Sequence, residues 1–210
     1  MAEQNKNQEA ILSKLGIAAL NSMQEEAHKA ITSNAEVVLL SPTGTGKTVA
    51  FMLPIIAALD SELEEVQLLV LVPSRELAIQ MEHVVREMGS GYKTNAVYGG
   101  RSGSKDKLEL KHPPAILIGT PGRVADHIRR KNVSTRYIKT LVLDEYDKSL
   151  ETGFSNEMKE IVEALPNLEK KVLTSATQKV KIPSFVGIRD AKHLNFLKYS
   201  SFLSLVKNVN

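Results

Sequence analysis

Short apolar runs recur along the chain, separated by longer stretches in which apolar and polar positions follow helical spacing. The runs are Val37–Leu40, Leu68–Val72, Ala115–Ile118, Thr140–Leu143 and Val172–Leu173, with a weaker one at Thr94–Tyr98. Most hold Val, Ile and Leu without alternation, which suits strands covered on both faces. Residues 47–59, 75–88, 121–130 and 154–164 carry helical spacing between them. Upstream, Ser22-Met23-Gln24-Glu25 has the S-x-x-E form of a capping box and predicts a helix from there to Ile31. Strands alternating with helices predict an α/β fold with a doubly wound, mostly parallel sheet flanked by helices. Such sheets hold ligands at the carboxyl ends of their strands, so chemistry is expected just after each apolar run.

Length and composition narrow the class. The 210 residues make one domain, with residues 1–21 as an N-terminal extension and 199–210 as a tail, either a last strand or the start of a linker. Hydrophobic residues at 42% and charged residues at 24% exclude wholesale disorder. The absence of cysteine excludes a disulfide scaffold, a thiol nucleophile and a Cys-based zinc site. The longest apolar stretch, Val49 to Leu59, is broken by Pro54 and falls short of the ~20 residues that a membrane span needs. The N-terminus mixes Glu3, Lys6 and Glu9 with amides and lacks the apolar run of a signal peptide. A soluble, cytoplasmic protein with no membrane partner is expected.

The formal net charge of +3 conceals a pattern: residues 1–70 carry −5, residues 71–140 carry +7 and residues 141–210 carry +1. A basic middle third is a candidate polyanion-binding face.

Immediately after Val37–Leu40 comes Ser41-Pro42-Thr43-Gly44-Thr45-Gly46-Lys47-Thr48, followed by helical spacing. Strand, glycine-containing loop and helix are the context of a phosphate-binding loop. Its N–H groups point at phosphate oxygens, and the helix N-terminus adds a favourable dipole. Lys47 would reach the β- and γ-phosphates, and the Thr48 hydroxyl would bind Mg²⁺. The general pattern begins with Gly where Ser41 stands. The run Thr140–Leu143 ends in Asp144-Glu145-Tyr146-Asp147. Asp144 is the candidate second Mg²⁺ group, and Glu145 the candidate base or water-orienting group for γ-phosphate hydrolysis.

These two strings and four others, in order from Gln24 to Thr177, resemble the first RecA-like domain of the DEAD-box RNA helicases of superfamily two. The others are Pro73-Ser74-Arg75-Glu76-Leu77-Ala78, Gly99-Gly100, Thr120-Pro121-Gly122-Arg123 and Ser175-Ala176-Thr177. The resemblance implies ATP and Mg²⁺ as cofactors, with Gln24 recognising the adenine edge. It also implies that Pro73, Ser74, Arg75, Gly99, Gly100, Thr120, Pro121, Gly122 and Arg123 line one strand of RNA. Locally this is consistent: Thr120 is a good N-cap residue, Pro121 a good first helical residue, and arginines beside helix N-termini hold phosphates without reading bases. Asp147, Ser175 and Thr177 would couple nucleotide state to the RNA site.

The chain departs from the family at several places. Asn21-Ser22 stand where Pro-Thr is usual, no aromatic precedes Phe51, Ser74 replaces threonine and Tyr146 replaces alanine. In the family a second RecA-like domain supplies arginine fingers, worth about 10³–10⁵ in rate in phosphate-loop enzymes. Only 33 residues follow Thr177, too few for such a domain. The resemblance therefore implies an ATP-dependent RNA helicase domain that couples hydrolysis to local unwinding, has little activity alone, and partners RNA, a second RecA-like domain and protein cofactors. The tail after Ala191 would lead toward that missing half. The alternative is a non-catalytic RNA-binding module or scaffold that keeps the fold, against which the presence of Lys47, Thr48, Asp144 and Glu145 speaks. A small-molecule kinase or a DNA helicase would differ in acceptor chemistry.

Overall fold

The computed structural model describes residues 2–197; the tail 199–210, read as a strand or linker, lies outside them. Strands β1 (Glu36–Leu40), β2 (Leu68–Leu71), β3 (Thr94–Val97), β4 (Ile116–Gly119), β5 (Thr140–Leu143), β6 (Lys170–Ser175) and β7 (Lys192–Asn195) form one sheet. Its order is β3-β4-β2-β5-β6-β1-β7, and every pairing is parallel. The helices are α1 (Ala2–Lys14), α2 (Ser22–Ser33), α3 (Lys47–Ile56), α4 (Arg75–Glu87), α5 (Gly103–Glu109), α6 (Pro121–Arg129), α7 (Tyr146–Glu151) and α8 (Ser155–Glu163). This is the α/β architecture expected, with all pairings parallel rather than most.

The unbroken apolar runs have a simple cause. Alternate residues of each strand feed two separate cores, one per face of the sheet. Val37, Leu39, Leu68, Val70, Ile116, Ile118, Val142 and Val172 pack with residues of α2, α3 and α4. Val38, Leu40, Leu69, Leu71, Leu117, Leu141, Leu143 and Leu173 pack with residues of α6 and α8. Each such side chain contributes about 1.5–3 kcal/mol of burial.

Three local expectations change. The box that opens α2 is set one residue earlier: Asn21, not Ser22, is the N-cap, accepting from Gln24 N at 2.9 Å while Gln24 Oε1 accepts from Asn21 N at 3.0 Å. An amide side chain caps as well as a hydroxyl does, and glutamine serves at the third position. Helix α3 ends at Ile56, short of residue 59, because the turn beyond Pro54 tightens to i→i+3 bonds at Ala58 and Leu59. Residues 192–195, which directly follow Ala191, return to the sheet and pair with β1. Lys-His-Leu-Asn buries only Leu194, so the apolar pattern does not show this strand.

Candidate functional site

The strand order sorts the sequence motifs into two adjoining groups. The loops after β1, β6 and β5 hold residues 41–48, 175–177 and 144–147, and these strands are neighbours in the sheet. The loops after β3, β4 and β2 hold Gly99-Gly100, residues 120–123 and residues 73–76, and those strands are also neighbours. The β2–β5 pairing joins the two groups, with Asp144 N donating to Leu71 O at 2.9 Å.

Within the first group, Thr43, Gly44, Gly46, Lys47, Thr48, Asp144 and Glu145 line one cleft of about 620 Å³. Glycine is required at 46: its φ is +83°, and a Cβ there would stand 2.4 Å from Gln24 Nε2. Lys47 is folded onto its own loop, its Nζ donating to Ser41 O and Pro42 O at 2.8 Å each. Burial lowers its pKa, against the opposing pull of Asp144 and Glu145. Ser41 Oγ and Thr45 Oγ1 bond at 2.8 Å, and Thr45 Oγ1 also donates to Pro42 O at 2.9 Å. Asn21 Nδ2 donates to Thr45 O at 3.3 Å.

Gln24 is buried and both ends of its amide are engaged. Oε1 closes the helix cap, and Nε2 donates to Gly46 O at 3.3 Å. In this arrangement it braces the loop, and reading an adenine edge would exchange those bonds.

Across the cleft, Asp144 is buried and its carboxyl is pushed up by desolvation, opposed by a hydrogen bond from Thr174 Oγ1. Glu145 N donates to the same hydroxyl at 3.1 Å, so Thr174 fixes both acidic residues. Glu145 has left-handed backbone, φ 48° and ψ 49°, and its carboxylate pairs with Lys148 at 2.7 Å. That pairing raises the Lys148 pKa. Thr177 Oγ1 donates to Asp147 Oδ2 at 2.9 Å, whereas Asp147 Oδ1 is buried without a partner among the described residues. Ser175 Oγ bonds Thr177 O at 2.7 Å and accepts from Thr177 N at 2.9 Å, so it shapes the turn rather than touching Asp147.

In the second group, Ser74 caps α4 through Leu77 N at 3.2 Å, and Pro121 opens α6. Thr120 precedes α6 without a side-chain cap. Arg75 is exposed, its nearest carboxylate Glu76 at 3.9 Å, and Gly100 lies beside it. Arg123 differs. Its side chain is 17% exposed, with Nε and Nη2 each 2.9 Å from Asp106 Oδ2 and Nη2 donating to Arg101 O at 3.1 Å. Asp106 is wholly buried and also meets Arg101 Nε and His127 Nε2, at 3.2 Å each.

Sequence reasoning missed Thr174, Lys148 and Asp106. Thr174, directly after the apolar pair Val172-Leu173 and beside Ser175, was a usable signal, since a hydroxyl at that strand end faces the residues after β5. Nothing in the sequence marks Asp106.

A family model described as DEAD/DEAH box helicase matches residues 21–184. Among curated relatives, the ATP-dependent RNA helicase CshA of Limosilactobacillus reuteri is 38% identical over 173 residues, 81% of this chain and 35% of that one. The ATP-dependent RNA helicase FAL1 of Lodderomyces elongisporus is 38% identical over 174 residues, 82% of this chain and 44% of that one. The matched stretch thus spans less than half the length of these curated relatives. A hypothetical ATP-dependent RNA helicase from Sulfolobus tokodaii superposes with TM-score 0.78 at 26% identity, over 91% of this chain and 57% of that one. A DEAD box protein from Methanococcus jannaschii superposes with TM-score 0.72 at 29% identity, over 82% and 48%.

Proposed function

Since this chain belongs to the DEAD/DEAH box helicase family, we propose that it is the nucleotide-binding RecA-like half of an ATP-dependent RNA helicase. What supports this reading is the sorting of motifs along the sheet: a nucleotide cleft on β5, β6 and β1 adjoins a basic edge on β3, β4 and β2. ATP enters between the 41–48 loop and Asp144, and Lys47 exchanges its two carbonyl partners for phosphate oxygens. Glu145 orients water toward the γ-phosphate, held by the Lys148 pairing and by its own backbone.

The donor set fits Mg²⁺. Among the described residues no group of three or more acidic or histidine side chains could hold a metal alone. Magnesium needs only Thr48 and Asp144 here, because it takes its remaining ligands from phosphates and water. When bound it would neutralise charge developing on the phosphates. Buried Asp144, disfavoured as a lone carboxylate, suits a site completed by a cation.

Arg75, with the glycines and the loop after β4, holds RNA backbone, and the Thr177–Asp147 bond links the two halves. The whole helicase carries a second RecA-like domain beyond this chain. The test is ATP hydrolysis with and without single-stranded RNA, by the full-length protein and by the 210-residue chain. RNA-stimulated turnover in the former, abolished by Lys47→Ala, and little turnover in the latter are expected. Stimulation that survives Lys47→Ala would sink the assignment.

A further inference from the structure

Beside Gly100 a groove of about 590 Å³ runs between α4 and α5, across the outer strand β3. Its α4 wall is Arg75, Ile79, Glu82 and Arg86, spaced to share one helix face. The opposite wall is Arg101, Lys105 and Glu109.

The outward backbone groups of β3 are already taken. Arg86 Nη2 donates to Thr94 O at 3.3 Å, Ala96 N donates to Glu82 Oε1 at 3.2 Å, and Arg101 Nη1 donates to Ala96 O at 3.0 Å. A peptide adding as another strand needs those same groups, so the groove is not built for one. The groove's carboxylates are engaged as well. Glu82 holds Arg86 at 2.9 Å, while Glu109 pairs with Arg101 and accepts from Asn95 Nδ2 at 3.2 Å.

What remains is positive and partly apolar. Arg75 lies loosely against exposed Glu76, and Lys105 is exposed with no ion pair among the described residues. Ile79, 43% exposed, and Tyr98 supply apolar surface beside them. Asn95 also lines the groove; it is 7% exposed, and its Oδ1 has no hydrogen-bond partner among the described residues. Buried acceptors without donors are rare enough to call for one. Cations interleaved with apolar and aromatic surface suit a single nucleic-acid strand.

We propose that this groove binds a nucleotide of single-stranded RNA that continues outward from Gly99–Gly100. Its phosphate lies against Arg75 and Lys105, its base against Tyr98 and Ile79, and a ribose hydroxyl or base N–H donates to Asn95 Oδ1. The inference rests on the RNA edge described above and extends it to residues outside every motif.

Fluorescence anisotropy with the 210-residue chain tests it, using labelled uridine oligomers of about six and about twelve nucleotides, which fall within usual site sizes. Lys105→Glu should weaken the longer oligomer about five- to tenfold and the shorter less than about twofold. It should also flatten the salt slope for the longer one by about 0.7, one phosphate contact. Arg75→Ala should weaken both lengths and so reports on the RNA edge itself. If Arg75→Ala acts on both while Lys105→Glu acts on neither, or on both equally, the groove is overturned and the edge stands. Absence of RNA binding by the unmodified chain overturns both.

Discussion

The Tyr146 hydroxyl donates to the carbonyl oxygen of Val180 at 3.2 Å, tying the start of α7 to the segment that leaves β6. The side chain is buried in the core on the α6 and α8 face of the sheet, and burial raises the phenol pKa. Tyr146→Phe should cost about 1 kcal/mol, the net worth of one hydrogen bond, and Tyr146→Ala about 3–5 kcal/mol through the cavity it opens. Urea denaturation midpoints of the two variants check both values.

On the proposed reading Lys47 would give up its two carbonyl partners to take phosphate, so its contribution to binding would be a difference between bonded states. Charge-assisted bonds are worth about 1.5–3 kcal/mol, so Lys47→Ala should weaken nucleotide about 10- to 100-fold. Titration of a fluorescent ATP analogue against the chain measures this.

Two glycines should separate folding from binding. Gly46→Ala meets the Gln24 amide at 2.4 Å with φ at +83°, and should destabilise by more than about 1 kcal/mol. Gly99→Ala meets nothing within 4 Å, so thermal stability should hold while RNA affinity falls. A Gly99→Ala protein with undiminished RNA affinity would remove that residue from the RNA edge.

His28 introduces a pH dependence. Burial lowers its pKa, and its Nε2 lies 2.7 Å from Gln8 Nε2, a contact that suits the neutral ring. Because the unfolded chain binds the proton more readily, stability is present above the unfolded pKa of about 6.5 and is lost as pH falls through the folded value. Denaturation midpoints should drop between about pH 7.5 and about pH 5, and His28→Gln should reduce that drop. A drop of equal size in the variant would assign it to other groups.

The doubly wound sheet was legible because both faces of each strand are buried, which writes unbroken apolar runs into the sequence. The motif loops were legible because their residues occur in fixed order at strand ends. Less visible was what the side chains do there. Asn21 rather than Ser22 caps α2 because capping depends on backbone angles that an S-x-x-E string does not encode. Arg123, expected beside phosphate, is held by Asp106, a partner 17 residues away on the short α5. Gln24 likewise donates to Gly46 O, a bond that depends on where the 41–48 loop packs. Long-range pairings of this kind leave no periodicity to read.

Glu145 sits in left-handed backbone, a conformation that costs a non-glycine residue about 1–2 kcal/mol. Its carboxylate is also buried, next to Asp144. Were stability the sole object of selection, glycine or asparagine would occupy position 145. On the proposed role of Glu145 in hydrolysis, the glutamate there is a standing tax on folding, and replacing it should yield a sturdier but idle protein.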